Sequence, residues 1–401
     1  MIDQQRVKDL AKQFASNTID IRRHIHANPE LSYEEYKTAK FVAEQLRTMG
    51  IEPQEGVAGT GLVAIIEGKN PEKYTVALRA DMDALPITEQ NDIPYKSTNE
   101  GVMHACGHDV HTSCVLGAAR ILSELKDSFE GSIKLIFQPG EEKNPGGASL
   151  MIKDGALENP KPGAMLGQHV MPFIETGKVG FREGMYMASA DEIYLTVKGK
   201  GGHAALPDRS VDPIVIAAQI ITALQQVISR NADPKSPTVL TFGTIHGGHA
   251  QNIIPDEVKI SGTFRALDEN WRFKAHELIT RAATGIAEGL GGSCEVFIDV
   301  GYPFLSNDVD TTRLARKAAE DYLGKENVQD LDLWLGAEDF AYYSHVVPSC
   351  FYRLGTGNEE KGTTNGVHTP NFNIDEDAIE VGIGLMAWIA LQQLEAHRNS
   401  R

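Results

Sequence analysis

The feature that most constrains the fold is a series of apolar segments between residues 192 and 299. Their periodicity predicts strands at 193–197, 238–244, 258–264 and 294–299 and helices at 213–229 and 271–288. The order β-α-β-β-α-β is typical of a split-βαβ (ferredoxin-like) sandwich, in which two helices cover one face of an antiparallel sheet. The sequence therefore predicts a small inserted domain at 186–299.

The segments on either side of the insertion follow a different pattern. Apolar strands at 62–66, 75–80, 133–137 and 349–354 alternate with helices at 33–49, 109–125, 309–323 and 375–394. Such alternation predicts a mixed α/β sheet that is covered on both faces. Because 401 residues exceed one usual core, we predict two domains, the larger one comprising 1–185 and 300–401. We expect the helix at 33–49 to begin with a capping box of Ser32 and Glu35.

Composition excludes several classes of function. Lysine and arginine number 38 against 55 acidic residues, and the resulting net charge of −17 disfavours binding to nucleic acid and to anionic lipid. The first residues lack the apolar core of a secretory signal, and no unbroken apolar stretch of roughly 18 residues is present, so we expect a cytoplasmic protein with no membrane partner. Four cysteines are too few for a disulfide scaffold.

Metal-binding residue types crowd the segment from His104 to His111, which holds three histidines, a cysteine and an aspartate at the start of a predicted helix. Alternate residues of an extended loop point to the same side, so Cys106 and His108 can reach one metal ion. Borderline-soft metals favour imidazole and thiolate ligands together. The alternative is a helix-capping turn that is rich in histidine without binding a metal.

A pair of carboxylates, Glu141 and Glu142, follows the strand at 133–137, where α/β proteins commonly place their sites. Neighbouring residues of an extended chain face opposite ways, so Glu142 can bind a metal while Glu141 stays free to hold the attacking water. This division suits metal-assisted hydrolysis, in which a carboxylate takes a proton from water. The alternative is a solvated acidic loop, which is the usual state of such a pair.

Two further histidines complete a candidate ligand set. His169 ends an apolar strand, and His368 lies in a loop near the C-terminus; either alone would more often be a structural histidine. Together with Cys106, His108 and Glu142 they offer five ligands. That number is sufficient for two metal ions if one ligand or a water bridges them.

Polar residues near other strand ends are candidates for supporting roles. Asp81 and Asp83 follow the strand at 75–80, and either can orient a ligating imidazole or begin a turn. In the inserted domain His203 leaves a strand through a glycine-rich turn. Asn252 and Arg265 offer an amide and a guanidinium that suit a substrate carbonyl and carboxylate. As patterns, these three are also ordinary loop residues.

Seven ordered motifs together resemble the dinuclear metallo-amidohydrolases, the family that includes bacterial hippurate hydrolases, N-acyl-L-amino acid amidohydrolases and auxin-conjugate (indole-acetyl-amino acid) hydrolases. The motifs span essentially the whole chain and lie at 23–31, 79–86, 106–109, 138–142, 201–204, 252–255 and 368–370. The resemblance implies a metallo-exopeptidase-like catalytic domain with two divalent metal ions per subunit. It also implies that the inserted domain is a lid that forms a homodimer.

Carried over by motif, the resemblance implies a ligand set of Cys106, His108, Glu142, His169 and His368 and a general base, Glu141. It also implies that His203 and Asn252 bind the substrate or stabilise the oxyanion, in their own subunit or in a partner's. Many metallopeptidase relatives carry a ligating histidine where this chain has Arg79. That substitution favours the hippurate-hydrolase branch over the aminopeptidase branch, and it leaves Asp81 in a supporting role.

The resulting prediction is metal-dependent hydrolysis of an N-acyl-L-amino acid to a carboxylic acid and a free amino acid. Zinc or manganese is the expected metal, with cobalt and nickel as alternatives. Three other functions are open: a dipeptidase or carboxypeptidase-like metallopeptidase, an N-acetyl-diaminopimelate deacetylase, and a non-catalytic metal-storage or ligand-binding protein. Glu141 argues against storage, which needs ligands but no spare base.

Overall fold

The structure is a computed structural model that describes residues 2–397. Its backbone divides into two compact units. The first comprises the residues up to Tyr186, Ser306–Asp332 and the residues from Asp339 onward, and the second comprises Met187–Leu305 and Leu333–Glu338. The second unit is thus an insertion in the first. It also includes residues 333–338, which the sequence pattern assigns to the larger domain.

Sixteen strands lie within residues 2–397. In chain order they are β1 (Gln54–Val57), β2 (Gly61–Glu67), β3 (Thr75–Asp81), β4 (Ser132–Gln138), β5 (Ala164–Glu175), β6 (Val179–Phe181), β7 (Gly184–Met187), β8 (Asp191–Lys198), β9 (Gly202–His203), β10 (Val239–His246), β11 (Ile253–Ile254), β12 (Glu257–Arg265), β13 (Ser293–Val300), β14 (Leu305–Asn307), β15 (Val328–Asp330) and β16 (Ser349–Gly357). The strands predicted from the apolar segments are all present, with bounds shifted by a few residues.

Eight of these strands form one mixed sheet in the order β1-β2-β4-β3-β5-β16-β6-β15. Its central strands β4, β3, β5 and β16 run parallel to one another. Three of them, β3, β4 and β16, are buried along their whole length. These features confirm the predicted mixed α/β sheet. Parallel strands present their carboxyl ends at the same edge, and Asp81 at the end of β3 lies opposite Gln138 at the end of β4.

Nine α-helices are present in the described part of the chain: α1 (Gln4–Ala27), α2 (Tyr36–Thr48), α3 (His108–Glu124), α4 (Gly147–Lys153), α5 (Pro213–Asn231), α6 (Glu269–Gly289), α7 (Val309–Leu323), α8 (Ala341–Ser344) and α9 (Ala378–His397). Helices α3 and α9 pack on β3 and β5, and α1 packs on both helices. The predicted elements do not include α1, although Val7, Leu10, Phe14 and Ile21 are buried at the spacing of a helix face.

The start of α2 differs from the prediction for a local reason. The predicted helix follows Ser32, whereas α2 begins at Tyr36. The backbone of Tyr33 is left-handed, with φ of 68°, and cannot belong to a right-handed helix. The Ser32 hydroxyl donates to Asp83 Oδ2 (2.6 Å), and the Glu35 carboxylate accepts the Tyr33 N–H (2.8 Å). The predicted capping box is therefore wrong, because its serine bonds outside the helix.

The second unit contains the predicted split-βαβ sandwich. Strands β13, β8, β12 and β10 form an antiparallel sheet in that order, and α5 and α6 pack on it and on each other. The shared core includes Ile193, Ile220, Phe264 and Ile279. A separate two-stranded sheet pairs β9 with β11. Among the described residues α5 is the one helix that is long and apolar enough to cross a membrane, and its buried side chains belong to this core.

Candidate metal centre

The five predicted ligands lie together in the first unit. The Cys106 thiol is 3.5 Å from His169 Nε2 and 3.3 Å from His368 Nε2. Glu142 Oε1 is 3.1 Å from His368 Nε2 and 3.9 Å from His108 Nε2. The ligand atoms of Cys106, His108 and His169 lie within 4.8 Å of one another, as do those of Cys106, Glu142 and His368. The structure thus contains two overlapping ligand groups that share Cys106.

The local backbone explains how the first group forms. Cys106 and His108 flank Gly107, which precedes α3 with a left-handed φ of 86°. A Cβ at that position would meet Val170 at 2.5 Å, so glycine alone allows the close approach to β5. His169 lies in the middle of β5 and not at a strand end as predicted, because β5 continues to Glu175.

The second group includes a residue with a strained backbone. His368 has φ of 61°, and its main-chain N–H donates to Ala105 O (2.7 Å). A left-handed backbone at a non-glycine residue costs on the order of 1–3 kcal/mol and is often found at functional sites. The side chain of His368 is exposed, in contrast to the buried rings of His108 and His169. The two groups therefore differ in their access to solvent.

Hydrogen bonds around the buried imidazoles leave one nitrogen of each ring for a metal. His169 Nδ1 donates to Val170 O (2.7 Å), and His108 Nδ1 lies 3.2 Å from Asp83 Oδ1. Nε2 is therefore the nitrogen of each neutral ring that can bind a metal. His108 Nε2 is buried and has no hydrogen-bond partner among the described residues. Such orphaned atoms are rare in proteins, and the nitrogen, oxygen and sulfur donors here fit a pair of divalent metal ions.

Burial and neighbouring charge set the protonation of the candidate ligands. Burial, followed by the charge of Arg353, lowers the pKa of His169 well below its ordinary value. Hydrogen bonds with Cys106 and Glu142 raise the pKa of His368 to about 10. Burial raises the pKa of the Cys106 thiol. Because a metal binds thiolate and neutral imidazole, its binding to this centre must release protons.

Asp83 connects the candidate ligand His108 to both candidate carboxylates. Its Oδ1 is 3.2 Å from His108 Nδ1 and accepts the Glu141 N–H (3.1 Å). Its Oδ2 accepts the Glu142 N–H (3.0 Å). A metal-bound histidine is commonly oriented by a carboxylate on its other nitrogen. Between the two aspartates that the sequence left open, Asp83 therefore makes this contact.

Asp81, for which a supporting role is predicted, holds a histidine outside the ligand set. Its Oδ1 accepts from His111 Nδ1 (2.7 Å), and the Val170 N–H donates to Nε2 of the same ring (3.0 Å). Both ring nitrogens of His111 are thus occupied. Asp81 Oδ2 accepts from Arg79 Nη1 (2.6 Å) and lies 3.7 Å from His108 Nε2. Asp81 therefore contacts the candidate ligand His108 less closely than Asp83 does.

Glu141, the predicted general base, is buried beside the candidate ligand His108. It is 6% exposed, and its Oε2 is 4.0 Å from His108 Nε2. Its Oε1 accepts the main-chain N–H of Asp339 (3.3 Å), a residue 198 positions further along the chain. The sequence reasoning missed Asp339, because nothing in the surrounding pattern marks it as a site residue. It also missed the bonds from Asp83 to the two glutamate N–H groups.

In the second unit, the three predicted substrate residues do not form one cluster. His203 on β9 pairs with Ile253, and the Ala204 N–H donates to Asn252 O (3.1 Å). The His203 and Asn252 side chains are exposed. Arg265 ends the nine-residue strand β12, and a rise of roughly 3.3 Å per residue places it about 26 Å from the start of that strand. The structure does not bring Arg265 to Asn252, because β12 extends away from the β9–β11 pair.

The sequence matches a known family over most of its length. Residues 77–392 match the profile of Peptidase family M20/M25/M40. Thermostable carboxypeptidase 2 of Saccharolobus solfataricus is 42% identical over 391 residues, which cover 97% of this chain and 98% of that protein. N-acetyl-L-cysteine deacetylase of Bacillus subtilis is 42% identical over 361 residues, which cover 90% of this chain and 84% of that protein.

A solved structure with the same fold is described as dinuclear. The YXEP protein of Bacillus subtilis, a dinuclear metal binding peptidase from the M20 family, has a TM-score of 0.81 and is 34% identical. The match covers 96% of this chain and 99% of that chain. The two overlapping ligand groups around Cys106 agree with a centre of that kind.

Proposed function

This chain belongs to peptidase family M20/M25/M40 and is a hydrolase that acts on amides, and from this premise we propose that its substrates are N-acyl-L-amino acids. The predicted resemblance to the metallo-amidohydrolases is confirmed by the family match. The observation that carries the proposal is the buried carboxylate of Glu141 beside the two ligand groups. The similarity to an N-acetyl-L-cysteine deacetylase supports the choice of substrate class.

In the proposed reaction Glu141 transfers the proton. The Asp339 N–H donates to Oε1, and Oε2, which lies 4.0 Å from His108 Nε2, takes the proton of the attacking water. The water oxygen bonds to the amide carbonyl carbon and the C–N bond breaks. Glu141 then returns its proton to the leaving amine, which restores the carboxylate. The products are a carboxylic acid and a free amino acid.

The ligand set of Cys106, His108, Glu142, His169 and His368 would hold two divalent metal ions. When bound, these ions would lower the pKa of water and polarise the amide carbonyl. The mixture of thiolate, imidazole and carboxylate suits zinc, and manganese, cobalt or nickel can occupy such a site. Asp83 keeps His108 and the two glutamates in their relative positions.

We propose that the second unit binds the substrate and forms a homodimer. His203 and Asn252 present exposed polar side chains for the substrate carbonyl.

The proposed dimer interface rests on exposed apolar side chains of the same unit, Ile214 and Val215 on α5 and Ile245 on the edge strand β10. Apolar side chains beside an open sheet edge are typical of interfaces. Sedimentation should find a dimer that dissociates in Ile245→Lys, and a monomeric wild-type protein would contradict this part of the proposal.

The direct test of the proposed function is the release of free amino acid from N-acetyl- and N-benzoyl-amino acids. The protein is first treated with a chelator, and zinc, manganese, cobalt or nickel is then added back in turn. We expect hydrolysis that depends on the added metal and that identifies both the preferred acyl group and the working metal. The proposal is contradicted if the protein still binds metal but cleaves none of the acyl-amino acids.

A carboxypeptidase-like metallopeptidase is the second candidate, since one of the 42% identical relatives bears the name thermostable carboxypeptidase 2. Free dipeptides and N-acetyl-dipeptides belong in the same assay. A carboxypeptidase removes the C-terminal residue of an N-acetyl-dipeptide and leaves an N-acetyl-amino acid intact, whereas the proposed enzyme cleaves the N-acetyl-amino acid. The identity of the released product therefore separates the two functions.

A further inference from the structure

A buried polar cluster surrounds the side chain of Asp339, the residue whose N–H donates to Glu141, and the reaction proposed above gives this side chain no role. Arg79, Gln138 and Asp339 are each at most 2% exposed. Arg79 donates from Nη2 to Asp339 Oδ1 (2.7 Å) and from Nε to Gln138 Oε1 (2.9 Å). Gln138 Nε2 lies 2.8 and 2.7 Å from the two carboxylate oxygens of Asp339, and the Ala148 N–H donates to Oδ2 (2.9 Å). Donors from three residues thus fix this carboxylate.

Asp339 reaches Glu141 through its main chain. The Asp339 N–H donates to Glu141 Oε1 (3.3 Å), while Glu141 Oε2 lies 4.0 Å from His108 Nε2. The terminal torsion of a glutamate side chain is broad, so the carboxylate has no intrinsic preference for one orientation. A donor fixed on one oxygen selects the orientation. The Asp339 N–H therefore fixes the rotation of the Glu141 carboxylate and keeps its second oxygen turned toward the ligand groups.

Stability alone does not explain a cluster of this kind. Apolar residues of similar volume are often as stabilising as a buried ion pair, because removing charges from water is costly. Arg79 also donates to Asp81 Oδ2 (2.6 Å), so one guanidinium serves two buried carboxylates. The cluster joins the carboxyl ends of β3 and β4 to a residue 201 positions beyond Gln138. Its geometric consequence is the placement of Asp339.

We propose that Asp339 is a positioning residue for Glu141: Arg79 and Gln138 hold the Asp339 carboxylate, and the Asp339 N–H on Oε1 turns Oε2 of Glu141 toward His108. This inference rests on the proposed role of Glu141 as the general base. This set of hydrogen bonds acts on the orientation of the base. Its loss should therefore lower kcat while metal content and KM stay near their wild-type values.

The test is a kinetic double-mutant cycle of Asp339→Asn and Glu141→Gln on the N-acyl-amino acid that the wild-type protein hydrolyses best. Asp339→Asn keeps the side-chain size but turns an NH₂ group toward one of the donors. We expect kcat to fall roughly 10- to 100-fold, the scale of a small misplacement of a catalytic group. In the Glu141→Gln background the same substitution should change kcat by less than about twofold, because the two residues act as a unit.

The control is Lys134→Gln, which removes another buried charge from β4. Lys134 is 1% exposed, and its Nζ donates to the carbonyl groups of Ala156 and Glu158. This variant should keep kcat within about twofold of the wild type, since its lost bonds do not orient a catalytic group. Metal content by mass spectrometry and the melting temperature are measured for every variant.

Arg79→Lys gives a second route to the same result, should Asp339→Asn not fold. It keeps the positive charge but loses the guanidinium fork that reaches Gln138, Asp81 and Asp339 together.

Equal losses of kcat in the wild-type and Glu141→Gln backgrounds, or losses that follow metal content or melting temperature, would overturn the inference. If Glu141→Gln alone retains wild-type turnover, Glu141 is not the general base, and both the proposed function of Glu141 and this inference are wrong. That result comes from the single variant, before the double variant is measured.

Discussion

The two units hold their predicted functional residues in opposite ways. In the first unit Glu141 and His108 are buried, and Asp83 fixes the ring of the histidine and the main chain of the glutamate. In the second unit His203 and Asn252 are exposed on a two-stranded sheet. Buried, hydrogen-bonded groups are preorganised for chemistry, whereas exposed side chains must order when they bind a ligand. Metal binding and substrate binding should therefore respond separately to mutation.

The largest effect should come from Cys106→Ala, because the thiol belongs to both ligand groups. We expect metal content to fall from about two ions per chain to near zero and turnover to fall to background. Mass spectrometry of the purified protein measures the metal. Cys350→Ala is the matched control, since Cys350 is also a buried free cysteine of the first unit but lies within β16. Full metal content in Cys106→Ala would show that Cys106 is not a ligand that the two groups share.

The second unit should yield kinetic effects without metal loss. We expect His203→Ala and Asn252→Ala to lower kcat by roughly 10²- to 10³-fold, the range for loss of one oxyanion donor. Metal content and melting temperature should not change, because both side chains are exposed. Asn231→Ala, at the exposed end of α5, is the control. Metal loss in His203→Ala or Asn252→Ala would contradict the expectation that mutations in the second unit leave metal binding unchanged.

A smaller effect on the metal centre is expected from Asp83→Asn. The variant loses the charge that orients His108 Nδ1, and metal affinity should fall roughly 10- to 100-fold, as for other partners of metal-bound histidines. Competition with a coloured chelator measures this affinity. Asp375→Asn is the control, because Asp375 is a buried carboxylate of the same unit that binds Lys361. Equal affinities in Asp83→Asn and wild type would show that the ligands do not need Asp83.

The smallest effect on activity, and a clear effect on stability, is expected from Asp191→Asn in the second unit. Burial acts to raise the pKa of Asp191, but hydrogen bonds and charges from Arg272 and His276 outweigh it and lower the pKa below its ordinary value. The stabilisation from the ionised carboxylate is therefore present above the unfolded pKa of about 3.9 and is lost as pH falls through the lower folded value.

At pH 7 the Asp191→Asn variant should lose roughly 3–5 kcal/mol of unfolding free energy, the usual cost of breaking a buried pair. The difference from the wild type should narrow as pH falls below about 4. Thermal unfolding between pH 7 and pH 3 measures both effects. A difference that stays constant over this range would exclude the ionised pair as its cause.

The sequence predicts those parts of the fold and site that local patterns encode. The split-βαβ order of the second unit follows from apolar periodicity, and the α3 loop with Cys106 and His108 follows from ligand types crowded into a few residues. Neither His169 nor His368 has a local pattern that predicts metal binding; each becomes a candidate ligand only in combination with Cys106, His108 and Glu142. His169 on β5 and Glu142, which follows β4, approach the same Cys106 thiol because both strands run parallel to β3 between them.

The sequence does not predict features that depend on distant contacts. Asp83 could not be chosen over Asp81, because the choice depends on which aspartate faces His108 across the folded chain. Asp339 carries no local signal, and its role arises from partners some 200 positions away. The capping box at Ser32 failed for the same reason, since that serine bonds to Asp83. Rules that use neighbouring residues alone cannot predict that a distant carboxylate will take a hydrogen bond from a capping residue.

Glu141→Gln tests the central claim most directly, when turnover and metal content are measured on the same preparation as the wild type. Glutamine keeps the size of the side chain but cannot take the proton from water. The account predicts about two metal ions per chain in both proteins and a loss of roughly 10²- to 10⁴-fold in kcat for the variant, the range for a general base. Wild-type turnover in Glu141→Gln with its metal in place would contradict it.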